Sequence, residues 1–263
     1  MSALDKNTKE AFLRIALKEK SIPQTLYKYC SAERALQILN NHSVMFSSHH
    51  EFNDPFDCAV DIDGHNTFEE WKQYLQNQGL PDIDAGILAH EIMSDEARAS
   101  STIRESYYKA LSQMGILCLT VRNDNLLMWA HYCNNHQGVC VRFDISKDLS
   151  TFCFPKRVYY SDDYIRLNYL RSYLDNDLNT HIAIWHKSSD WAYEEEYRVV
   201  IPNFHGLKLF EKEALTGIIF GCQCSEENKN NIIKAISDNS YPNVELMEAR
   251  MNAKQYKLDI VPR

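Results

Sequence analysis

Residues 26–48 read LYKYCSAERALQILNNHSVMFSS, and three successive patterns within this stretch decide the fold class. LYKYC (26–30) is rich in aromatic residues and predicts a short strand. SAERALQILN (31–40) predicts a helix capped by Ser31, and VMFSS (44–48) predicts a second strand. A strand, a helix and a strand within 23 residues indicate an α+β fold.

Apolar runs in the rest of the chain predict further strands. They are GILCLTV (115–121), GVCVRFDI (138–145), RVYYSD (157–162), EYRVVIP (196–202) and TGIIFG (216–221). Helical spacing of apolar residues predicts helices over 4–20, 163–187 and 225–238. We therefore predict one α+β domain over residues 1–263, with a mixed or antiparallel central sheet and a helical insert at about 66–114.

The amino-acid composition indicates which partners and which cellular compartment to expect for this protein. The net charge of −8 argues against loose binding to a phosphate backbone. No run approaches the roughly 18 apolar residues of a membrane span, so we expect a cytoplasmic protein without a membrane partner. The eight cysteines lie mostly in apolar runs, which favours reduced core thiols over a disulfide framework.

The first block of candidate site residues is FSSHHEFNDPFD (46–57), a polar loop that directly follows a strand. Functional residues often lie in such loops. The candidates for cofactor binding here are Ser47, Ser48, Phe52, Asn53 and Asp54. For Asn53 and Asp54, a turn in which they bond their own backbone is an equally good interpretation.

The second block is NLLMWAHYCNNHQGVCVRF (125–143), where Trp129, His131 and Tyr132 combine a stacking surface with a titratable group. We predict that these three contact the cofactor. The alternative is a tryptophan that supports the core and a histidine behind the site. The spacing of His131, Cys133, His136 and Cys140 matches no common zinc pattern, and we predict no metal.

The third block is KSSDWAYEEEYRVVIP (187–202), in which Glu194, Glu195 and Glu196 lead directly into an apolar strand. A carboxylate at a strand start can hold a ribose hydroxyl, stabilise a cationic transition state or polarise a nucleophile. Arg198 is a further candidate for cofactor binding. The alternatives are a solvated acidic turn and a Glu–Arg ion pair at the strand start.

Taken in order, LYKY and the three blocks resemble the hallmark segments of a bacterial family, domain of unknown function 2971. The resemblance covers about residues 26–225. That family name carries no established chemistry, so it implies kinship and no activity.

A second resemblance implies a mechanism, because residues 26–48 are similar to the opening of ADP-ribosyltransferase folds. In those enzymes the first strand carries His or Arg, the second carries Ser, Thr or Tyr, and a glutamate pair precedes a later strand. The resemblance places Lys28 in the first position and Glu194 and Glu196 in the last. It implies that Glu196 binds the nicotinamide ribose and that Glu194 orients the acceptor.

The leading hypothesis is an ADP-ribosyltransferase-like enzyme that uses NAD without a metal. It would transfer ADP-ribose to a protein or nucleic acid, or hydrolyse NAD, as a toxin or phage-defence effector. Tyr29, Phe52 or Trp129 would stack on nicotinamide or adenine. One alternative is a metal-dependent nuclease or phosphodiesterase with ligands Asn53, Asp54, Asp57, His131 and Glu194. Another is a non-catalytic sensor or binding module.

Overall fold

The computed structural model describes residues 6–175 and 178–263. The strands are β1 (Thr25–Cys30), β2 (Ser43–Phe46), β3 (Asp61–Ile62), β4 (Met114–Thr120), β5 (Val139–Asp144), β6 (Lys156–Arg157), β7 (Tyr159–Ser161), β8 (Arg166–Leu167), β9 (His186–Ser188), β10 (Glu196–Pro202), β11 (Gly206–Leu209), β12 (Leu215–Phe220), β13 (Glu245–Met251) and β14 (Leu258–Pro262). The α-helices are α1 (Lys6–Lys18), α2 (Ala32–Asn41), α3 (Phe68–Asn77), α4 (Asp82–Met93), α5 (Glu96–Leu111), α6 (Leu126–Tyr132), α7 (Tyr169–Leu174) and α8 (Glu226–Asp238).

An eight-stranded sheet forms the centre of the fold, with the strand order β14-β13-β12-β5-β1-β4-β10-β6. Strands β12 and β13 are parallel, and the other neighbours in this sheet are antiparallel. Because strands and helices are mixed around one large mixed sheet, the predicted α+β class is confirmed at this level. The two predicted strands that flank α2 are also present.

Several predicted helix boundaries follow from capping. Ser31 accepts a hydrogen bond from the backbone N–H of Arg34 and starts α2, and Ser225 starts α8 in the same way. The helix predicted over 4–20 is α1 (Lys6–Lys18) in the part of the chain that the structure describes, and its first two predicted residues lie outside that part.

One predicted helix is wrong for most of its length. Residues 163–187 contain β8, the short α7, a 3-10 helix (Leu178–Trp185) and the start of β9, while residues 176 and 177 lie outside the described residues. Asn168 caps α7 with its side chain, and pairing of β8 with β3 and of β9 with β7 takes the neighbouring residues into strands. Tertiary pairing therefore outweighs the local helical pattern.

The two faces of the sheet are covered differently. Helices α2 and α8 contact each other and cover one face, over a core that includes Leu26, Leu117 and Val199. The opposite face carries two separate apolar clusters. One includes Ile116 and residues of α3, α4 and α5, which occupy the segment of the predicted insert, and the other surrounds Trp129. Within the described residues, no helix is long and apolar enough to cross a membrane.

We predict that Gly138→Ala lowers the free energy of unfolding by about 1–3 kcal/mol, because overpacking displaces a neighbour or the backbone. A Cβ at Gly138 would lie 2.2 Å from the carbonyl oxygen of Cys30 and 3.0 Å from Cα of Cys133. Denaturant unfolding measures the change. The control is Gly86→Ala within α4, where the nearest atom is 4.0 Å away and we expect a gain of up to about 1 kcal/mol. Equal effects of the two substitutions would contradict the prediction.

Candidate active site

A cavity of about 600 Å³ opens where β1 and β4 separate. The ladder between these strands consists of a single pair, Tyr27 with Thr120, whereas β1 pairs with β5 along its whole length. Lys28 reaches across the gap, and its ammonium donates to the carbonyl oxygen of Cys118 at 3.1 Å. The cavity therefore lies against backbone of β4 that β1 leaves unpaired.

The three successive glutamates reach the cavity through a sharp turn. A 3-10 helix ends at Glu194, Glu195 has a left-handed backbone with φ of 44°, and β10 begins at Glu196. Glu194 and Glu196 are buried and line the cavity, while Glu195 turns away and pairs with Arg122 at 2.8 Å. The two outer glutamates share one site because of this turn, and not because of strand alternation, since β10 begins only at Glu196.

Arg198 is the centre of a buried network of ionic groups. Its guanidinium binds both carboxylate oxygens of Glu196, at 2.8 and 3.0 Å, and donates to Asp57 at 2.7 Å. It also donates to the carbonyl oxygen of Ile184 at 2.7 Å and lies over the ring of Phe52. We call Asp57, Lys187, Glu194, Glu196 and Arg198 the ion network.

Lys187 connects the second glutamate to this network. Its ammonium donates to Glu194 at 2.6 Å and lies 3.6 Å from carboxylate oxygens of both Asp57 and Glu196. Tyr132 donates its hydroxyl to the other oxygen of Glu194 at 2.5 Å. Both oxygens of Glu194 therefore have a donor, one cationic and one neutral.

The surroundings move the pKa values of the two glutamates in opposite directions. Burial raises the pKa of Glu194 above its ordinary value, although Lys187 acts against this effect. Burial also disfavours the ionised form of Glu196, but Arg198 and Lys187 outweigh it and lower the pKa of Glu196 to about 2. Carboxyl pairs separated in this way are typical of sites where one group carries charge and the other exchanges a proton.

Nine of the predicted site residues line the cavity together. They are Lys28, Tyr29, Ser47, Phe52, Asn53, His131, Tyr132, Glu194 and Glu196. They come from four segments of the chain: β1, the loop after β2, α6 and the start of β10. His131 is exposed at the rim, where its Nδ1 lies 3.0 Å from the Tyr193 hydroxyl.

Four predicted cofactor contacts lie outside the cavity lining, because each is occupied elsewhere or buried. The Asp54 carboxylate accepts a hydrogen bond from the backbone N–H of Phe56 at 2.9 Å, as the alternative of a turn predicted for this residue. Ser48 is buried at the start of a 3-10 helix. Trp129 is fully buried beneath Tyr29 and donates to the carbonyl oxygen of Asn123. Arg198 is fully buried in the ion network.

Two members of the ion network were not predicted as site residues of the leading hypothesis. Lys187 was not predicted at all, and Asp57 was named only as a metal ligand of the nuclease alternative. Lys187 opens the third sequence block and Asp57 closes the first, so both stand in segments already singled out. The available signal was charge: an acidic run that enters an apolar strand needs cations if it is buried. Cys118 and Thr120, which also line the cavity, lie within a strand that looks entirely structural.

The arrangement of the carboxylates does not favour the metal-dependent nuclease hypothesis. Among the described residues, no group of three histidine, cysteine or acidic side chains is arranged to hold a metal ion. The ammonium of Lys187 lies among Asp57, Glu194 and Glu196, where a cation would otherwise be needed to balance their charge. Asp54 is committed to its turn.

Comparison with known families identifies one match. Residues 128–199 match the model of the family described as Protein of unknown function (DUF2971), which confirms the family predicted from the sequence over a shorter stretch than expected. The matched segment contains Tyr132, Lys187 and both buried glutamates, whereas Lys28 and Asp57 precede it. No significant similarity to a curated protein or to a solved structure is found.

We predict that Arg198→Met lowers the free energy of unfolding by about 3–5 kcal/mol, because it removes the guanidinium that binds the buried carboxylates of Glu196 and Asp57 directly. Urea unfolding measures the loss. The control is Arg171→Met, which removes a 2.8 Å pair with Glu70 whose arginine side chain is 55% exposed and should cost at most about 1 kcal/mol. A loss at Arg198 no larger than in the control would contradict the assignment.

We predict that Glu196 makes stability depend on pH below about 5. Its folded pKa of about 2 lies below the ordinary 4.5, so its contribution is complete above the ordinary value and is lost as pH falls from 4.5 towards 2. Unfolding free energies measured between pH 5 and 2.5 should fall more steeply for the wild type than for Glu196→Gln, by up to about 1.4 kcal/mol per pH unit. Parallel curves would show that Glu196 is not the group concerned.

Proposed function

We propose that this protein of the DUF2971 family is an ADP-ribosyltransferase-like enzyme that cleaves the bond between nicotinamide and ribose in NAD. The observation that carries the proposal is a single cavity that joins Lys28 on β1, Ser47 after β2, and Glu194 with Glu196 at the start of β10. ADP-ribose would pass to a protein, to a nucleic acid or to water. Such an activity would suit a toxin or phage-defence effector.

The cavity has the size and lining that a nucleotide substrate requires. Its volume of about 600 Å³ falls within the roughly 300–1,000 Å³ of ligand pockets. Tyr27, Tyr29, Phe52 and Tyr132 supply aromatic rings for stacking on nicotinamide. Lys28 adds an ammonium group, which can bind the phosphates.

Glu196 would stabilise the charge that develops when the glycosidic bond breaks. The electron pair of the C1′–N bond leaves with nicotinamide, which becomes neutral, and positive charge develops on the ribose. A carboxylate fixed nearby then stabilises the transition state more than the ground state. The lowered pKa of Glu196 keeps this group ionised, and Arg198 fixes its orientation.

Glu194 would take the proton of the incoming nucleophile. As the acceptor oxygen forms its bond to C1′, its proton must leave, and a carboxylate with a raised pKa is the better base near neutral pH. Tyr132 and Lys187 position this carboxylate from two sides. In the hydrolytic reaction the nucleophile is water, and the products are ADP-ribose, nicotinamide and one proton.

We predict that the wild type releases nicotinamide from labelled NAD without added metal, and that Glu194→Gln and Glu196→Gln reduce release by about 100-fold or more. The assay follows nicotinamide release and transfer of label to proteins or nucleic acids in a cell lysate. The control is Glu195→Gln, which changes the glutamate that points away from the cavity and should stay within a few fold of the wild type.

Three results would count against this proposal. A wild type that neither binds NAD nor releases nicotinamide would overturn it. Activity that disappears with a chelator and returns with magnesium would replace it with metal-dependent chemistry. Equal loss in all three glutamine variants would mean that the turn, and not the two buried carboxylates, is what the reaction requires.

A further inference from the structure

The cavity continues beyond the ion network into a part of different chemistry. There it is lined by one face of α2, by β2 and by β11, and the side chains concerned carry no carboxylate. We call Arg34, Gln37, Asn41, Met45 and Leu207 the α2 wall. One end of the cavity is therefore acidic, and the other end has no carboxylate and carries one arginine, which suggests a ligand with two chemically different parts.

Three polar side chains of the α2 wall are available to a ligand. Arg34, Gln37 and Asn41 follow one another at helical spacing on one face of α2, over a length of about 10 Å. Within the parts of the chain that the structure describes, their side chains take part in no hydrogen bond or ion pair. They are exposed along the cavity, so their donors and acceptors are free to meet a ligand.

The apolar part of the wall consists of Met45 and Leu207, which are direct partners across β2 and β11. Leu207 is 54% exposed, which is unusual for a leucine on a strand that pairs with a neighbour. A methionine and a leucine side by side offer a surface on which a flat ring can lie, and the thioether makes favourable contacts with aromatic rings.

The length of the cavity fits more than one nucleoside. At one end Glu196 pairs with Thr120 of β4, and at the other Ser47 bridges to Ile116 of the same strand. These two positions on β4 are four residues apart, which corresponds to about 13 Å. Met45 reaches the cavity two residues before Ser47. A nicotinamide riboside at the glutamates therefore leaves the α2 wall unoccupied.

We infer that the α2 wall binds the second nucleobase of a dinucleotide, so that the substrate is a purine-containing dinucleotide and not a mononucleotide. This inference rests on the proposed function. The amides of Gln37 and Asn41 supply both donors and acceptors, the combination that pairs with the edge of adenine. Met45 and Leu207 contact the face of the base, and Arg34 provides a cation for a phosphate.

The test is calorimetric titration without metal, using NAD, nicotinamide mononucleotide and AMP as ligands. The variant combines Gln37→Ala with Asn41→Ala, both at exposed positions of α2. We expect its affinity for NAD and for AMP to fall roughly tenfold, the effect of losing two neutral hydrogen bonds. Its affinity for nicotinamide mononucleotide should match that of the wild type.

The control is Glu33→Gln, on the same helix but outside the cavity lining, which should bind all three ligands like the wild type. Thermal unfolding of each variant checks that the fold is retained. If the double variant binds NAD and AMP as the wild type does, the α2 wall is not a base site, while the NAD activity can still be observed. If the wild type neither binds nor cleaves NAD, the proposed function fails, and this inference with it.

Discussion

The buried guanidinium of Arg198 is the constraint on which the site depends. It connects three segments that are distant in the sequence: the loop at Asp57, the 3-10 helix at Ile184 and the strand start at Glu196. Burying a cation away from water costs free energy unless the cation is paired and its hydrogen bonds are satisfied. Its fit between these partners therefore fixes their relative positions, and the floor of the cavity follows from that geometry.

The net charge of the ion network bears on the chemistry that its carboxylates can perform. Three carboxylates face two cations, which leaves one excess negative charge in a buried place. Burial, and then the neighbouring carboxylate of Glu196, raise the pKa of Glu194, while Arg198 and Lys187 lower the pKa of Glu196. Two glutamates of the same turn thereby acquire different properties, as an acid–base pair requires.

Much of the fold could be predicted from local patterns. The strand, helix and strand of residues 25–46 follow from aromatic and apolar runs and from the cap at Ser31. The same reasoning was wrong for residues 163–187, because β8 pairs with the distant β3 and β9 pairs with β7, and both partners lie outside this stretch. Strand β11 was not predicted. Its four residues, GLKL, are too few to show a clear alternation of apolar and polar side chains, and its partner β2 is distant in the sequence.

The sequence by itself determined the fold class, the capped starts of α2 and α8 and the segments in which polar residues gather, because these depend on neighbours within a few residues. Tertiary structure alone decided which of those polar side chains share a cavity. Asp57 and Arg198 are 141 positions apart in the sequence, and the periodicity of apolar residues does not predict a hydrogen bond between such distant positions. The inward direction of both Glu194 and Glu196 likewise depends on the left-handed turn at Glu195, which the packing of the surrounding chain maintains.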